Sequence, residues 1–219
     1  MERVTDHQNI FNTDSDVKLK TALDKAKHVL LSGGIVAFPT ESFYGLAVDI
    51  ENHEAIEKLF SLKQREKTNP ILILLPEIET LEEYVNDIPG QARRLMDAFW
   101  PGGLTILFRA GHKISPLLTA NTGKIGIRYS SHPVATALAR TIGRPVTGTS
   151  SNISGHPPCT LAEEVFDYFG DDIDLILDNG PTKGGQSSTI LDITSYPYVV
   201  LREGMVLKED IENICRVKG

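Results

Sequence analysis

Basic side chains are concentrated in the segment 63–70, Lys-Gln-Arg-Glu-Lys-Thr-Asn-Pro, which places three bases within five residues. Lysine binds a phosphate group as a point charge, and arginine binds it as a planar bidentate fork. The apolar run 71–75 follows directly, so these side chains would lie at the end of a buried strand. The pattern could hold a triphosphate, and a solvated loop is its alternative.

Hydroxyl and amide side chains form further clusters at predicted strand ends. Segment 39–46, Pro-Thr-Glu-Ser-Phe-Tyr-Gly-Leu, joins two apolar runs, and segment 148–155, Gly-Thr-Ser-Ser-Asn-Ile-Ser-Gly, follows a third. Ligands of α/β sheets bind at strand ends, and these polar groups suit nucleotide oxygens. A turn with side chain to backbone hydrogen bonds is the alternative for each segment. The second segment also approaches a serine-hydrolase nucleophile elbow, but Asn152 replaces the required glycine.

The usual signatures of nucleotide and metal sites are absent from the sequence. It contains no GxGxxG, GxxxxGK[ST] or HExxH motif and no EF-hand loop, and its six histidines show no metal-ligand spacing. Cys159 and Cys215 form no CxxC motif, so we expect reduced thiols. A nucleotide would therefore be bound by another route.

The charged residues are unevenly distributed along the chain. The formal net charge of −7 argues against nucleic acid as the main partner. Residues 98–162, however, contain no Asp or Glu and hold six bases, Arg109, Lys113, Lys124, Arg128, Arg140 and Arg144. Such a segment concentrates positive potential and could attract a phosphate, a carboxylate or an RNA backbone. A solvated basic face is the alternative.

Short strands interspersed with helices must position these clusters. Helical spacing predicts a first helix over about 19–30, and apolar runs predict strands at 35–38, 46–49, 70–75, 105–108, 125–129, 146–149, 175–177, 189–193 and 199–201. The fold class is α/β (α+β mixed), with a single twisted mixed sheet flanked by helices. We expect residues 1–16 to form a loosely held N-terminal arm and residues 17–219 to form one domain.

Composition excludes several classes of protein. With 41% apolar and 23% charged residues, the chain is not intrinsically disordered. No uncharged run is long enough to span a bilayer, and charges at Glu2 and Arg3 argue against an export signal. We therefore expect a cytoplasmic protein without a membrane partner.

The order of the clusters resembles the TsaC/YrdC family, the L-threonylcarbamoyladenylate synthases. The resemblance runs from about Lys18 to Lys218. It rests on seven short motifs in order: Pro39-Thr40-Glu41-x-x-Tyr44-Gly45-Leu46, Lys63-x-Arg65-x-x-x-Asn69-Pro70, Trp100-Pro101-Gly102-x-x-Thr105, Arg128, Ser150-x-Asn152-x-Ser154-Gly155, Ser188-Thr189 and Arg202-x-Gly204. It implies the YrdC-like fold, with a concave ligand-binding face.

The resemblance also implies a reaction. L-threonine, bicarbonate (or CO2) and ATP would give threonylcarbamoyl-AMP and pyrophosphate, and a tRNA threonylcarbamoyl-transferase partner would modify the adenosine beside the anticodon. Mg2+ would accompany ATP, held by phosphates and waters more than by protein ligands. Catalysis would depend on positioning and fixed cations, because the carbamate nucleophile already carries its charge.

Site residues carry over from the family motif by motif. The resemblance assigns catalytic roles at the phosphates to Lys63 and Arg65. It assigns nucleotide binding to Lys63, Arg65, Asn69, Thr105, Ser150, Asn152 and Arg202. It assigns threonine binding to Thr40, Arg128 and Ser188, and it assigns no residue to a metal.

The sequence departs from the family pattern at several positions: Ser42-Phe43, Gly103, Ser151, Ser187 and Leu74. Leu74 stands where some members carry a histidine that touches the substrate, which puts the geometry of the amino-acid pocket in question. Two alternatives remain open. One is a double-stranded RNA or tRNA-binding module that uses the acid-free segment, and the other is a family paralogue that adenylates a different carbamoyl group.

Overall fold

The computed structural model describes residues 8–218. The α-helices are α1 Asp16–Leu31, α2 His53–Leu62, α3 Gly90–Phe99, α4 Pro133–Ile142, α5 Ala162–Phe169 and α6 Lys208–Glu212. The strands are β1 Ile10–Asn12, β2 Val36–Pro39, β3 Tyr44–Ala47, β4 Ile73–Leu74, β5 Leu104–Arg109, β6 Lys124–Arg128, β7 Val146–Thr147, β8 Thr149–Ser150, β9 Leu175–Asp178, β10 Thr189–Asp192 and β11 Val199–Arg202. Short 3₁₀ helices cover Ile78–Glu83 and Gly170–Asp172.

Helices α1 and α4 pack together and cover strands β2 and β9. The Ser15 side chain caps α1 by accepting a hydrogen bond from the Lys18 backbone N–H, and Pro133 opens α4. Each helix buries apolar residues at spacings of three and four: Ala22, Leu23, Ala26 and Leu30 in α1, and Val134, Ala135, Leu138 and Ala139 in α4. Removing this apolar surface from water stabilises the layer by about 25 cal/mol per Å². The predicted first helix is confirmed.

The strands form two mixed sheets, whereas the sequence predicts a single one. One sheet has the order β1-β9-β2-β3-β8, and the other has the order β11-β10-β5-β6-β4-β7. Both contain parallel and antiparallel neighbours; β2, for example, runs parallel to β9 and antiparallel to β3. The α/β class is therefore confirmed, and the number of sheets differs.

The chain passes from one sheet to the other at Gly148. The segment 146–149 is predicted as one strand, but β7 pairs with β4, and β8 pairs with β3 in the other sheet. A Cβ atom on Gly148 would lie 2.8 Å from Leu72 Cδ1. The absence of a side chain lets the backbone approach β4 closely and change sheets. β4 itself pairs over only Ile73–Leu74, less than the predicted run of 70–75.

Part of the predicted N-terminal arm belongs to a sheet. Residues Ile10–Asn12 form β1, which pairs in parallel with Ile176–Asp178 of β9. The Asn9 side chain also donates a hydrogen bond to the carbonyl of Ile173, at 2.9 Å. The expectation of a loose segment is wrong for these residues, because an unpaired edge of β9 offers backbone groups for a short strand. The first seven residues of the predicted arm lie outside the described range.

Alternation along β5 and β6 divides the core from a cavity. Leu104, Ile106 and Phe108 of β5 are buried in the apolar core, together with Ile125 and Ile127 of β6. The intervening residues, Thr105 and Leu107 of β5 and Lys124, Gly126 and Arg128 of β6, line the cavity on the other face. Between residues 8 and 218, no helix combines the length and the apolar character needed to cross a membrane.

Candidate active site

A cavity of about 530 Å³ lies between the two sheets. It is lined by strands of both sheets and by the loops that follow β2 and precede β10. Seven of the residues predicted from the sequence line it: Thr40, Arg65, Thr105, Arg128, Ser150, Ser188 and Arg202. Side chains that are far apart in the chain are thus brought to one concave surface, as the family resemblance implies.

The other three predicted residues, Lys63, Asn69 and Asn152, do not line this cavity. Asn69 is exposed on the loop that follows α2, where its carbonyl accepts a hydrogen bond from Arg65 Nε at 3.1 Å. The Asn152 side chain stabilises its own loop, because Nδ2 donates to the carbonyls of Ile153 and His156 at 3.0 and 2.6 Å. Ligand contacts for these three residues stay predictions.

Lys63 is buried behind the cavity, with 1% of its surface exposed. Its Nζ donates hydrogen bonds to the carbonyls of Ser150 and Asn152, the latter at 2.6 Å. Burial, and then the nearby charge of Arg65, lower the pKa of this ammonium from 10.5 to about 7. The lysine therefore holds the loop that presents Ser150 to the cavity.

Three arginines border the cavity. Arg128 is buried, Arg65 is half-buried, and Arg202 lies nearer the rim. Partial burial lowers the pKa of Arg65, with a further contribution from Arg202, and the pKa of Arg202 is lowered by its own partial burial and by Arg128. All three arginines line the same cavity, so three like charges share one space. An anion among them would relieve their repulsion.

A hydroxyl pair lies beside the arginines. Thr105 Oγ1 and Ser188 Oγ are 2.8 Å apart and both residues are buried. Arg202 Nη2 donates to the Ser188 carbonyl at 2.8 Å and to Ser188 Oγ at 3.2 Å. Gly204 allows this arrangement, since a Cβ atom there would overlap the carbonyl oxygen of Ser187. This glycine of the Arg202-x-Gly204 motif therefore has a packing role.

Arg128 forms a buried ion pair with Glu41. The Nη1 atom of Arg128 lies 3.1 Å from Glu41 Oε1, with side chains that are 7% and 8% exposed. Arg128 Nε is buried without a hydrogen-bond partner among the described residues. Leaving a buried donor unpaired costs about 1–3 kcal/mol, and more for a charged group. The ion pair holds the guanidinium at the wall of the cavity, which Arg128 lines.

Sequence reasoning assigned no role to Glu41, nor to a second ion pair on the cavity wall. Lys124 Nζ lies 2.7 Å from Asp192 Oδ2, and both residues line the cavity. The alternation of β6, in which Lys124 shares a face with Arg128, was the available signal for Lys124. For Glu41 the signal was its position next to Thr40. The distant partners of both residues depend on tertiary structure.

The acid-free segment 98–162 does not form an unneutralised basic surface. Five of its six bases are paired with acidic residues from outside the segment, in the pairs Lys113–Glu83, Lys124–Asp192, Arg128–Glu41, Arg140–Glu77 and Arg144–Asp49. Arg109 donates a hydrogen bond to the carbonyl of Thr194 at 3.2 Å. Folding thus supplies the acids that the segment lacks, which weakens the case for an RNA-binding platform.

Two smaller expectations, on Leu74 and on the cysteines, also have outcomes. Leu74 packs with α4 residues in the apolar core and is not among the residues that line the cavity, whereas Leu72 is. Cys159 and Cys215 are buried free thiols, as expected. In the described part of the chain, no group of three or more His, Cys, Asp or Glu side chains could hold a metal ion.

Two mixed sheets that enclose a cavity bordered by three arginines define an α/β protein suited to an anionic ligand. The Sua5_yciO_yrdC family, described as "Telomere recombination", matches residues 28–204. The chain belongs to the Sua5/YciO/YrdC family, and the resemblance to TsaC/YrdC proteins is confirmed.

Relatives and solved structures extend this result. A Bacillus subtilis protein named threonylcarbamoyl-AMP synthase is 38% identical over 191 residues, which cover 87% of this chain. A protein of the same name from Photobacterium profundum is 33% identical over 83% of this chain and 98% of its own length. The structure of Pyrococcus abyssi Sua5 complexed with L-threonine has a TM-score of 0.90 at 32% identity and covers 95% of this chain.

The longer relatives contain sequence that this chain does not match. The matched region spans 55% of the Bacillus subtilis protein and 62% of the Pyrococcus abyssi Sua5 chain. The family match over residues 28–204 includes every residue that lines the cavity.

Proposed function

We propose that this chain is an L-threonylcarbamoyladenylate synthase, which converts L-threonine, bicarbonate and ATP to threonylcarbamoyl-AMP and pyrophosphate. The observation that carries the proposal is the convergence of three arginines and several hydroxyl groups on one cavity. The relatives' name and the L-threonine bound to Pyrococcus abyssi Sua5 support it. The product would pass to a tRNA threonylcarbamoyl-transferase partner, and we expect the reaction in the cytoplasm.

Threonine would bind at the end of the cavity formed by Arg128, Thr40 and Ser188. Arg128 lines the cavity, and its guanidinium would donate a hydrogen bond to the substrate carboxylate. Hydrogen bonds between an ionised donor and an ionised acceptor are about twice as strong as neutral ones. The hydroxyls of Thr40 and Ser188 would orient the amino and hydroxyl groups of the substrate.

The chemical step needs positioning more than proton transfer. The threonine amine first adds to CO2 and loses a proton, which gives a carbamate. A carbamate oxygen then forms a bond to the α-phosphorus of ATP as the bond to the pyrophosphate oxygen breaks. Both reactants are anionic, so the enzyme must hold them together against their repulsion. Arg65 and Arg202, which line the cavity, would stabilise the phosphate charge, and Ser150, whose hydroxyl donates to Asn152 Oδ1, would lie beside the nucleotide.

The residues that line the cavity offer little to a protein-bound metal ion. Asp192 supplies the carboxylate among the lining residues, and its Oδ2 atom lies 2.7 Å from Lys124 Nζ. Mg2+ would therefore enter with ATP, bound by phosphate oxygens and water, as hard cations prefer. The chemistry that it supplies is partial neutralisation of the triphosphate.

Pyrophosphate release tests the proposal. We expect release only when ATP, L-threonine and bicarbonate are all present, measured with a coupled phosphate assay in buffer depleted of CO2. L-serine, L-alanine and carbamoyl phosphate replace threonine in parallel reactions. Release without bicarbonate, or equal release with serine or alanine, would contradict the assignment. Release with carbamoyl phosphate alone would favour a paralogue that adenylates a different carbamoyl group.

RNA binding as a main function predicts a different result. A protein that contacts several phosphates loses affinity steeply as salt rises, with a slope of about 0.7 per contact for a single strand. We expect a shallow slope with tRNA, because ion pairs neutralise five of the six bases of segment 98–162. Binding assays with tRNA between low and moderate salt measure this slope.

A further inference from the structure

Glu41 connects two residues of the amino-acid end of the cavity. It follows Thr40 directly in the chain, on the loop between β2 and β3. Its Oε1 lies 3.1 Å from Arg128 Nη1, at the end of β6 in the other sheet. Glu41 is not itself among the residues that line the cavity, whereas Thr40 and Arg128 both are.

The second carboxylate oxygen of Glu41 has its own partner beyond the end of β6. Ser130 Oγ donates to Glu41 Oε2 at 2.6 Å, and the backbone N–H of His132 donates to Ser130 Oγ at 3.2 Å. The two carboxylate oxygens thus contact Arg128, the last residue of β6, and Ser130, two residues further along the chain. One buried side chain holds the loop that carries Thr40 against the strand that carries Arg128.

The pairing of Glu41 with Arg128 is incomplete in its hydrogen bonds. Glu41 Oε1 accepts no well-angled hydrogen bond and Arg128 Nε makes none, within the part of the chain that the structure describes. The two charges are close, but Arg128 and Glu41 do not form a bidentate pair, in which two N–H groups would donate to the carboxylate. Such an arrangement neutralises and locates the arginine, and the single contact of Nη1 with Glu41 leaves other N–H groups of this cavity-lining guanidinium for an anion.

We propose that Glu41 is a positioning residue, which sets the distance between Thr40 and Arg128 and keeps a donor of Arg128 available to the substrate carboxylate. The inference rests on the proposed function, because it takes the amino-acid substrate to bind at Arg128. Glu41 itself touches no reacting atom. Without its carboxylate, Arg128 would lose its fixed orientation, and the Thr40 loop would lose its contact with the second sheet.

Glu41→Ala tests the proposal, with Asp49→Ala as its matched control. Asp49 is also a buried carboxylate that pairs with an arginine, Arg144, but neither residue lines the cavity. We expect Glu41→Ala to raise the KM for L-threonine at least tenfold while the KM for ATP changes less than threefold. Glu41→Gln retains an acceptor of the same shape and should restore the KM for threonine to within about threefold of wild type.

Calorimetry of L-threonine binding without ATP gives a second measurement that does not depend on turnover. We expect the Kd for threonine to rise at least tenfold in Glu41→Ala and to stay unchanged in Asp49→Ala. An unchanged Kd in Glu41→Ala, or an equal rise in both variants, would overturn the positioning role. If wild type binds threonine but releases no pyrophosphate, the proposed reaction fails and the Kd values still decide the role of Glu41. If wild type binds no threonine, both proposals are wrong.

Discussion

Two buried carboxylates pair with arginines in this protein, and their geometries differ. Asp49 receives hydrogen bonds from Arg144 Nε at 2.9 Å and from Arg144 Nη2 at 2.5 Å, and Glu51 adds a contact to Nη1 at 2.8 Å. Glu41 has a single contact with Arg128 at 3.1 Å, and Arg128 Nε has no partner among the described residues. All three nitrogens of the first guanidinium contact a carboxylate, whereas one nitrogen of the second does.

The difference teaches how a buried ion pair can serve binding as well as stability. A buried charge must be paired to offset its loss of water. The pair at Arg144 meets this requirement completely, and it lies outside the cavity. The pair at Arg128 meets it in part, and Arg128 itself lines the cavity. Incomplete pairing on the wall of a cavity is consistent with a role of this arginine in binding.

The largest expected effect comes from Arg128→Lys. Lysine keeps the charge opposite Glu41, so the fold should survive, but it lacks the planar fork that recognises a carboxylate. We expect kcat/KM for threonine to fall about 100-fold, because a hydrogen bond to a charged group contributes up to about 3 kcal/mol. Steady-state pyrophosphate release measures the change.

Arg144→Lys is the matched control for Arg128→Lys. We expect its kcat/KM for threonine to stay within about twofold of wild type, since Arg144 lies outside the cavity. Equal losses in the two variants would show that the number of carboxylate contacts made by an arginine does not distinguish a binding role from a structural role.

Arg65→Ala removes a cavity arginine that has no carboxylate partner within residues 8–218. Its hydrogen bonds go to the carbonyls of Asn69 and Pro70, and it is half-buried, so its loss should leave the fold intact. We expect a fall in pyrophosphate release of about 100-fold, by the same reasoning on charged donors. A circular dichroism melt checks the fold, and a wild-type rate would contradict the phosphate role.

Asp49→Ala should act on stability alone. Asp49 is 4% exposed, but its partner Arg144 is 29% exposed and retains Glu51. We expect a loss of about 1–3 kcal/mol in the free energy of unfolding, the cost of a lost partner for a buried polar group. For a chain of this size, Tm should fall by about 2–4 °C per kcal/mol. Thermal melts measure the shift, and a changed KM for threonine would count against the comparison.

The smallest effect, taken over one pH unit, concerns Lys63, a buried cation whose hydrogen bonds go to carbonyls. Its pKa is lowered from 10.5 to about 7, so between these values the unfolded chain binds a proton that the folded chain lacks. The free energy of unfolding should therefore rise with pH in this window, by at most about 1.4 kcal/mol per pH unit from this group. Lys63→Met removes this contribution.

Urea denaturation at pH 7, 8 and 9 tests the Lys63 effect. The difference in unfolding free energy between wild type and Lys63→Met should grow as pH rises, because other titrating groups are common to both proteins. A difference that stays constant over this range would show that Lys63 keeps its charge when buried.

Much of the fold follows from local pattern. The apolar spacing that predicts α1 and the proline that opens α4 both act within one or two turns of helix, so the sequence shows them directly. The predicted strand at 146–149 shows the limit. Its residues do form strands, but Gly148 divides them between sheets because of its contact with Leu72.

The candidate site also has features that the motifs predict and features that depend on the tertiary structure. Arg65, Ser150 and Arg202 were predicted from their motifs, and all three line the cavity. Lys63 belongs to the same motif as Arg65, yet it lies behind the cavity and binds the carbonyls of the 150–152 loop. Residue type and spacing predict that a cation is needed in this region. They do not predict whether it faces a ligand or the backbone.

The amino-acid sequence by itself determined the fold class, the order of the polar motifs and the family, because these depend on residue type and on neighbours in the chain. The tertiary structure decided the division into two sheets, the pairing of Glu41 with Arg128 and the neutralisation of segment 98–162. Each of these joins residues that are many positions apart, and the energy of an ion pair or a close packing contact depends on distance in space. Spacing along the chain does not specify that distance.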